Sequence, residues 1–278
     1  MRGLEPIPAV DRGSAVPGSS TPWQRVVWPV VVFIAGIALW DLVVRIGDIP
    51  PYLLPSPLLV FQTLIADWPI LSESLGVTLL TALEGFIAAA IGGIALALLF
   101  NQSKWLEYSL LPYAIVLQVT PVIAIAPLML IYLPQQTAVV VCAWIVAFFP
   151  VLANTTLGLN SVDRNLAGLF QLYRASRWQV LRYLKLPAAL PFILGGLRIA
   201  GGLSLIGAVA AEIAAGAAGA GSGLAYRISE SSYRLNIPRM FAALLLLSVA
   251  GIVIYMLLAL VSHGLLRRWH ESALRKEK

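Results

Sequence analysis

The sequence predicts an all-α, polytopic membrane protein with about six transmembrane helices. Three observations predict this class: 59% of the residues are hydrophobic, only 12% are charged, and the apolar residues form long runs. A soluble domain usually contains about 45–50% apolar and about 25% charged residues. A helix of about 20 apolar residues crosses a bilayer with all its backbone polar groups bonded internally.

Six apolar runs are long enough to cross a bilayer. We place these spans at residues 26–46, 75–100, 106–132, 137–159, 188–216 and 238–266. The third run contains Pro112, Pro121 and Pro127. Proline removes a backbone donor and clashes with the preceding turn, so we expect this span to be kinked or broken.

The distribution of Lys and Arg predicts the orientation. With both termini in the cytoplasm, the inner segments hold 14 of the 19 basic residues, and Arg198 can extend inward from the start of the fifth span. Cytoplasmic loops are rich in Lys and Arg, which explains the net charge of +6 without nucleic acid. We therefore expect a disordered cytoplasmic tail (1–25), a transmembrane domain (26–266) with a cytoplasmic loop at about 160–187, and a basic cytoplasmic tail (267–278).

Two outer loops differ in their expected structure. In the first, Ser56 is suited to cap a helix that has Pro57 at its first position, and we expect a short helix in the membrane interface. The second loop, 216–237, begins GAAGAGSG and is expected to be irregular. Its glycine-rich run (219–223) lacks a following Lys-Ser/Thr and is not a phosphate loop.

A basic amphipathic stretch covers residues 165–191, between the fourth and fifth spans. We expect one short helix, a cap at Ser176, a second short helix from Arg177, and then Pro187 ending the segment before a turn into the fifth span. A charged helix pair facing the cytoplasm is a candidate docking surface. The alternative is a basic segment that lies on the membrane and only sets the topology.

The sequence ASRWQVLRYLKLPAALP within this stretch resembles the cytoplasmic loop of permease subunits of bacterial binding-protein-dependent ABC importers. In that family the loop contains Glu-Ala-Ala, three residues, Gly, nine residues, Ile, one residue and Leu-Pro. Leu186 and Pro187 match its end, and Leu184 takes the Ile position. The family glycine falls on Arg174, and the Glu-Ala-Ala triplet falls on Gly168, Leu169 and Phe170, so the first half departs from the motif.

Three further segments resemble the nitrate/sulfonate/taurine branch of these permeases. PYLLPSPLLVFQTL is similar to its first outer loop, LQVTPVIAIAPLMLIYL to its third span and GLRIAGGLSLIGAVAAEI to its fifth span. The resemblance implies a type I ABC importer-like fold in a bacterial inner (plasma) membrane. It also implies a small solute, either an anion such as nitrate, a sulfonate or taurine, or a pyrimidine vitamin precursor.

The resemblance implies partners and coupling residues as well. Separate ABC ATPase subunits would dock on the cytoplasmic loop, and a periplasmic or lipid-anchored substrate-binding protein would deliver the solute. A second permease copy, identical or different, would complete the path within membrane lipid. The expected ATPase-coupling residues are Leu169, Phe170, Arg174, Ala175, Ser176, Trp178, Arg182, Leu184 and Pro187.

Small residues recur every four positions in two spans. The second span has Gly85, Ala89, Gly93 and Ala97, and the fifth has Gly196, Ala200, Ser204, Ala208, Glu212 and Gly216. Such stripes allow helices to approach closely. They serve packing within the chain or, for the fifth span, line the dimer axis and the pathway, as the resemblance favours.

We expect Ser204, Ala208 and Glu212 to belong to the pathway or gate. A carboxylate inside a membrane is costly and usually faces protein or water. Glu212 is therefore either a gate residue near the outer end of its span, or a structural partner or boundary residue at the interface. Asp41 and Arg45, four residues apart, are expected to form an ordinary helix pair.

The sequence contains no set of residues for catalysis or metal binding. The single cysteine, Cys142, excludes an intramolecular disulfide and a multi-cysteine metal site. His263 and His270 have no nearby acidic cluster. We expect no enzymatic activity, metal or cofactor. A self-sufficient secondary transporter or channel is the alternative function, and a scaffold protein is the third, although no duplicated halves are visible.

Overall fold

A computed structural model describes residues 23–216 and 221–267 of the chain. Most of the expected N-terminal tail, all but the first residue of the C-terminal tail, His270 and the start of the glycine-rich run (219–220) lie outside the described residues. The last two residues of the expected N-terminal tail, Gln24 and Arg25, belong to the first helix.

The regular elements within the described residues are all helical. In chain order they are α1 Gln24–Ile46, α2 Pro57–Ala66, α3 Trp68–Gln102, α4 Lys104–Val119, α5 Val122–Tyr132, α6 Gln135–Leu159, α7 Arg164–Leu172, α8 Arg177–Val180, a π-helical turn Leu181–Lys185, α9 Leu186–Ala215, α10 Leu224–Tyr233 and α11 Ile237–Leu266.

The prediction of about six spans agrees with these helices. Within the described residues, five helices are long and apolar enough to cross a membrane, and α4 with α5 makes a sixth if the pair counts as one span. The two halves of that pair are bent by 100° at a short break. Thr120 is extended there, because the residue before a proline avoids the helical region, and Pro121 follows it. The expected break in the third span is confirmed.

Two elements differ from what the sequence led us to expect. The helix that carries the second span begins at Trp68, before the expected start of the span at about residue 75, and its 35 residues make a helix about 52 Å long, which exceeds the bilayer core. The second outer loop is not irregular throughout, because α10 occupies Leu224–Tyr233. The glycine-rich sequence covers only the start of that loop.

The described residues divide after Pro50 into two compact units. In the first unit, α1 carries the expected helix pair, with Arg45 Nε 2.6 Å from Asp41 Oδ2. In the second unit, α2 begins as expected, because Ser56 Oγ accepts a hydrogen bond from the Leu59 N–H at 3.3 Å. Arg239, at the start of α11, donates two hydrogen bonds to the Asp67 carboxylate, at 2.6 and 3.0 Å.

The core of the second unit lies where α3, α6 and α9 pack together. A Cβ atom built on Gly85 would lie 2.6 Å from the Ala143 Cβ, and one built on Gly207 would lie 2.9 Å from the Ala143 Cα. A Cβ atom built on Gly196 would lie 2.8 Å from the Asn154 Cβ. These glycines let helix backbones approach to distances that a side chain would prevent. The small stripe of the second span therefore serves packing within the chain.

Candidate functional site

Helix α7 presents an apolar surface on the predicted docking segment. Asp163 starts the helix, because its Oδ1 accepts hydrogen bonds from the backbone N–H groups of Asn165 at 2.7 Å and Leu166 at 3.3 Å. Leu166, Leu169 and Leu172 follow at helical spacing, and all three are exposed; Leu172 is 82% exposed. An exposed row of leucines on a short helix is unfavourable in water unless a partner covers it.

A left-handed residue joins α7 to α8. Arg174 has φ +49°, and the turn is closed by hydrogen bonds from its N–H to the Gln171 carbonyl at 2.9 Å and from the Ala175 N–H to the Phe170 carbonyl at 3.0 Å. This is the position at which the importer loop motif has glycine. Glycine adopts positive φ at little cost, and an L-residue does not. The backbone at Arg174 therefore has a conformation that glycine adopts at lower cost than arginine.

Arg174→Gly is expected to raise the free energy of unfolding by about 1 kcal/mol, because it removes the left-handed strain. Arg177→Gly, at the first position of α8 with ordinary helical geometry, is the control and is expected to lower it by up to about 1 kcal/mol. Thermal unfolding of the purified protein in detergent measures both. A lower melting temperature for Arg174→Gly would contradict the assignment.

The predicted cap at Ser176 is present as a capping box. Ser176 Oγ accepts from the Gln179 N–H at 3.3 Å, and Gln179 Oε1 accepts from the Ser176 N–H at 2.7 Å. Two of the free N–H groups at the helix start are thereby satisfied. The capping box fixes where the second helix of the segment begins.

The expected end of the segment at Pro187 was wrong. No turn precedes the fifth span, because α8, the π-helical turn and α9 form one helix of 39 residues from Arg177 to Ala215. The Leu186 N–H bonds to the Leu181 carbonyl, five residues back, so the turn before Pro187 is wider than an α-helical turn. A wider turn separates the proline ring from the carbonyl with which it would otherwise clash.

One side of the π-helical turn Leu181–Lys185 packs against the core. Leu181 and Leu184 are buried, and Lys185 Nζ donates a hydrogen bond to Asn101 Oδ1 at 3.0 Å, near the end of α3. The expected coupling residue Leu184 thus faces the core, and Pro187 is half-buried. Both residues contribute to packing the segment against the core, and their coupling role stays a prediction.

The other side of the segment is open. Trp178 is 63% exposed, and the expected coupling residues Leu169, Arg174, Ser176 and Arg182 are also exposed, whereas Phe170 and Ala175 are half-buried. A cavity of about 360 Å³ lies between the two short helices and is lined by Leu169, Phe170, Tyr173, Ala175, Gln179 and Tyr183. Sequence reasoning missed Tyr173 and left Tyr183 out of the coupling set. Both tyrosines lie next to an arginine in the basic stretch, and an aromatic residue beside a basic one is the sequence signal that could have identified them.

The three expected pathway residues lie on the buried side of α9. Ser204 and Ala208 are buried, and Ser204 Oγ donates to the Gly201 carbonyl at 2.9 Å. Glu212 is only 4% exposed. The small stripe of α9 thus packs within the chain, and the pathway role of these residues stays a prediction.

Glu212 connects three helices. Its Oε2 accepts hydrogen bonds from Thr78 Oγ1 on α3 at 3.0 Å and from the Ala225 N–H on α10 at 3.1 Å. Thr78 Oγ1 in turn accepts from the Leu224 N–H at 2.7 Å. Gly223, the residue before α10, has no side chain to cap the helix, and a Cβ there would lie 2.1 Å from Glu212 Oε1. Two other helices therefore cap α10, and sequence reasoning missed the contribution of Thr78.

Glu212→Ala is expected to lower the free energy of unfolding by about 1–3 kcal/mol, because it leaves the buried Ala225 N–H and Thr78 hydroxyl without their acceptor. Glu212→Gln keeps an acceptor oxygen and is expected to lose less than half as much. Thermal unfolding in detergent compares the two variants. Equal losses would show that the carboxylate does not act as a cap.

Comparisons with known proteins show the family of the chain. Residues 85–268 match the family described as binding-protein-dependent transport system inner membrane component. The chain is 34% identical over 259 residues to the riboflavin transport system permease protein RibX of Chloroflexus aurantiacus, covering 90% of this chain and 94% of that protein. It is 32% identical over 228 residues to the formylaminopyrimidine transport permease protein ThiX of Halalkalibacterium halodurans, covering 81% and 89%.

A solved structure has the same fold. The crystal structure of an amino acid ABC transporter with histidines superimposes with a TM-score of 0.62 at 20% identity, covering 73% of this chain and 98% of that one. The family match covers more than half of the chain, and the relatives match almost its whole length. The chain therefore belongs to the inner membrane components of binding-protein-dependent transport systems, as a multi-pass permease subunit of an ABC importer of the nitrate/sulfonate branch.

Proposed function

We propose that the ATPase subunit of the importer docks on a surface formed by Leu166, Leu169, Leu172, Tyr173, Arg174, Trp178, Arg182 and Tyr183, which we name the docking surface. The single observation that carries this proposal is that the exposed Trp178, Arg182 and Tyr183 lie at the start of one unbroken helix, Arg177 to Ala215, next to the exposed side chains of α7 and its connecting turn. A partner that binds the surface therefore holds the end of a membrane-spanning helix directly.

The chemistry of the docking surface favours a protein partner. Large apolar and aromatic side chains are central in protein interfaces, and arginines are enriched among their strongest contacts. The cavity between the two short helices provides a concave site for a protruding side chain of the partner. The alternative, in which the segment rests on lipid head groups, leaves this cavity without an occupant.

The packing of α9 explains how movement would be transmitted. Gly207 brings α9 against the backbone of α6, and Gly85 brings α3 against the same region of α6. Helices at such short distances move together, because protein interiors are close-packed. Closure of two ATPase subunits around ATP would push two docking surfaces together and turn the path from inward-facing to outward-facing. ATP drives this change only because it binds one arrangement better than the other.

Site-specific cross-linking in the complete importer tests the docking surface. Leu172→Cys, in a background with Cys142→Ser, is expected to form a cross-link to the ATPase subunit whose yield changes when ATP is added. Leu58→Cys, exposed on α2, is the control and is expected to form none. An active importer in which Leu172→Cys never reacts with the ATPase would rule the surface out.

The further partners and the orientation are part of the same proposal. The loop at 160–187 and both termini would face the cytoplasm, and a substrate-binding protein would deliver solute to the opposite face. A second permease, a copy of this chain or a different one, would complete the path, with Ser204, Ala208 and Glu212 close to its outer gate. Tags at the two termini that remain protected in right-side-out vesicles would support this orientation.

The solute is proposed from the relatives. These proteins are named for riboflavin, formylaminopyrimidine, aliphatic sulfonates and nitrate. We therefore propose a small anion of the nitrate, sulfonate or taurine type, or a pyrimidine vitamin precursor. Titrating the partner substrate-binding protein with these compounds by calorimetry identifies the class, and binding of none of them would exclude it.

A further inference from the structure

Arg198 is a charged residue inside a membrane-spanning helix. It lies twelve residues after Leu186, the first residue of α9, which is about 18 Å along the helix. Tyr255 lies eleven residues before Leu266, the last residue of α11, which is about 17 Å. The two side chains meet, with the guanidinium carbon 5.7 Å from the centre of the Tyr255 ring. Both therefore lie nearer to the docking-surface end of the bundle than to the other.

The positive charge of Arg198 has no counter-charge within residues 23–216 and 221–267. The ion pairs in this part of the chain involve Arg45, Lys104, Arg227, Arg234 and Arg239, but not Arg198. Its Nε atom is buried and has no hydrogen-bond acceptor. A tyrosine ring attracts a cation, but it does not accept hydrogen bonds from the guanidinium N–H groups as an anion does. Arginines inside membranes normally have such a partner.

Open helix surface lies on the side of α9 that carries Arg198. Gly195 and Gly202 are three residues before and four residues after Arg198, so they share its side of α9. A Cβ atom built on either glycine would meet nothing within 4 Å, in contrast to Gly201 and Gly207 on the packed sides. This surface is accessible at Tyr255, which is 55% exposed. In the described part of the chain, Arg198, which has no ion-pair partner, therefore borders helix surface that no neighbouring side chain covers.

We propose that the Arg198 guanidinium, beside the Tyr255 ring and the open helix surface at Gly195 and Gly202, binds an oxyanion. A guanidinium presents N–H groups in a planar fork that matches the oxygens of a phosphate, sulfate or sulfonate. Side chains on a helix lean toward its N-terminus, so Arg198 leans toward the docking-surface end. Two sources have this chemistry: the phosphate of an anionic lipid in the adjacent leaflet, and a free oxyanion within the membrane domain. The inference does not depend on the docking of the ATPase.

The test uses the complete importer and two probes. Retained phosphatidylglycerol is counted by native mass spectrometry after mild delipidation, and sulfate is titrated against the lipid-free complex by thermal shift, with chloride at equal ionic strength as the reference. Arg198→Gln is expected to weaken binding of one probe by at least tenfold. Arg234→Gln, at the exposed arginine that follows the last residue of α10, is the matched control and is expected to leave both unchanged.

A second variant separates binding from folding. Gly195→Val adds a side chain to the open helix surface on the side toward which Arg198 leans, and it leaves Arg198 in place. It is therefore expected to fold normally and to weaken the same probe by at least tenfold. Loss of phosphatidylglycerol alone identifies the lipid, and loss of the sulfate response alone identifies a free oxyanion. Unchanged binding of both probes in Gly195→Val and in Arg198→Gln overturns the proposal, as does a wild-type complex that binds neither.

Discussion

Trp178→Ala is expected to weaken the binding of the ATPase subunit by about thirtyfold and to uncouple ATP hydrolysis from transport. Trp178 is 63% exposed at the start of the helix that continues to Ala215. Truncation of a central tryptophan in an interface commonly costs about 2 kcal/mol or more, which corresponds to that factor. Arg182→Ala, on the next turn of the same surface, is expected to act in the same direction. Affinity purification of the complex and solute uptake by proteoliposomes measure the two effects.

Trp105→Ala is the matched control for this prediction. Trp105 is as exposed as Trp178 and lies at the start of α4, just after the end of α3 to which Lys185 is bonded. It is therefore at the same end of the bundle but outside the docking surface. Its replacement is expected to leave assembly and uptake unchanged. If Trp178→Ala and Trp105→Ala behave alike, the docking surface does not have the proposed role.

Gly85→Leu is expected to lower the free energy of unfolding by at least about 3 kcal/mol and to reduce the amount of folded protein in the membrane. The new Cβ would lie 2.6 Å from the Ala143 Cβ and 3.0 Å from the backbone of α6. Backbone atoms cannot move aside without separating the two helices, so overpacking is costly here. Detergent-solubilised yield and thermal unfolding measure the change.

Gly76→Leu on the same helix distinguishes packing from a general effect of losing glycine. A Cβ on Gly76 would meet nothing within 4 Å. Leucine is also a better helix former than glycine, by nearly 1 kcal/mol. This variant is expected to be as stable as the parent protein or slightly more stable. Similar losses for both variants would show that the approach of α3 to α6 is not the cause.

Several local features followed from the sequence because they depend on neighbouring residues. The spans follow from runs of apolar residues, and the break in the third span follows from Pro121, which restricts Thr120. The cap at Ser176 follows from a serine whose hydroxyl can reach the backbone three residues on. In each case the interaction spans only a few residues, so its energy does not depend on how the helices pack.

Other features of the candidate site depend on contacts between distant segments. The sequence suggested that Pro187 ends a helix, but the buried Leu181 and Leu184 and the bond from Lys185 to Asn101 hold the chain helical through it. Likewise, α10 follows a glycine-rich run, and its start is capped by Thr78 and Glu212, the first of them 146 residues away from Leu224. The spacing of residues along the chain does not indicate which distant residues will become such partners.

The amino-acid sequence thus specified that the chain is a helical membrane permease, where most of its spans lie and which loop carries the basic helix pair, because hydrophobicity, proline chemistry and helix capping act over short stretches. The tertiary structure alone decided that this loop is continuous with α9, that Glu212 caps a distant helix, and that the Nε atom of Arg198 is buried without a hydrogen-bond acceptor. These outcomes depend on which residues become neighbours after packing, and that is decided by the close approach of α3, α6 and α9.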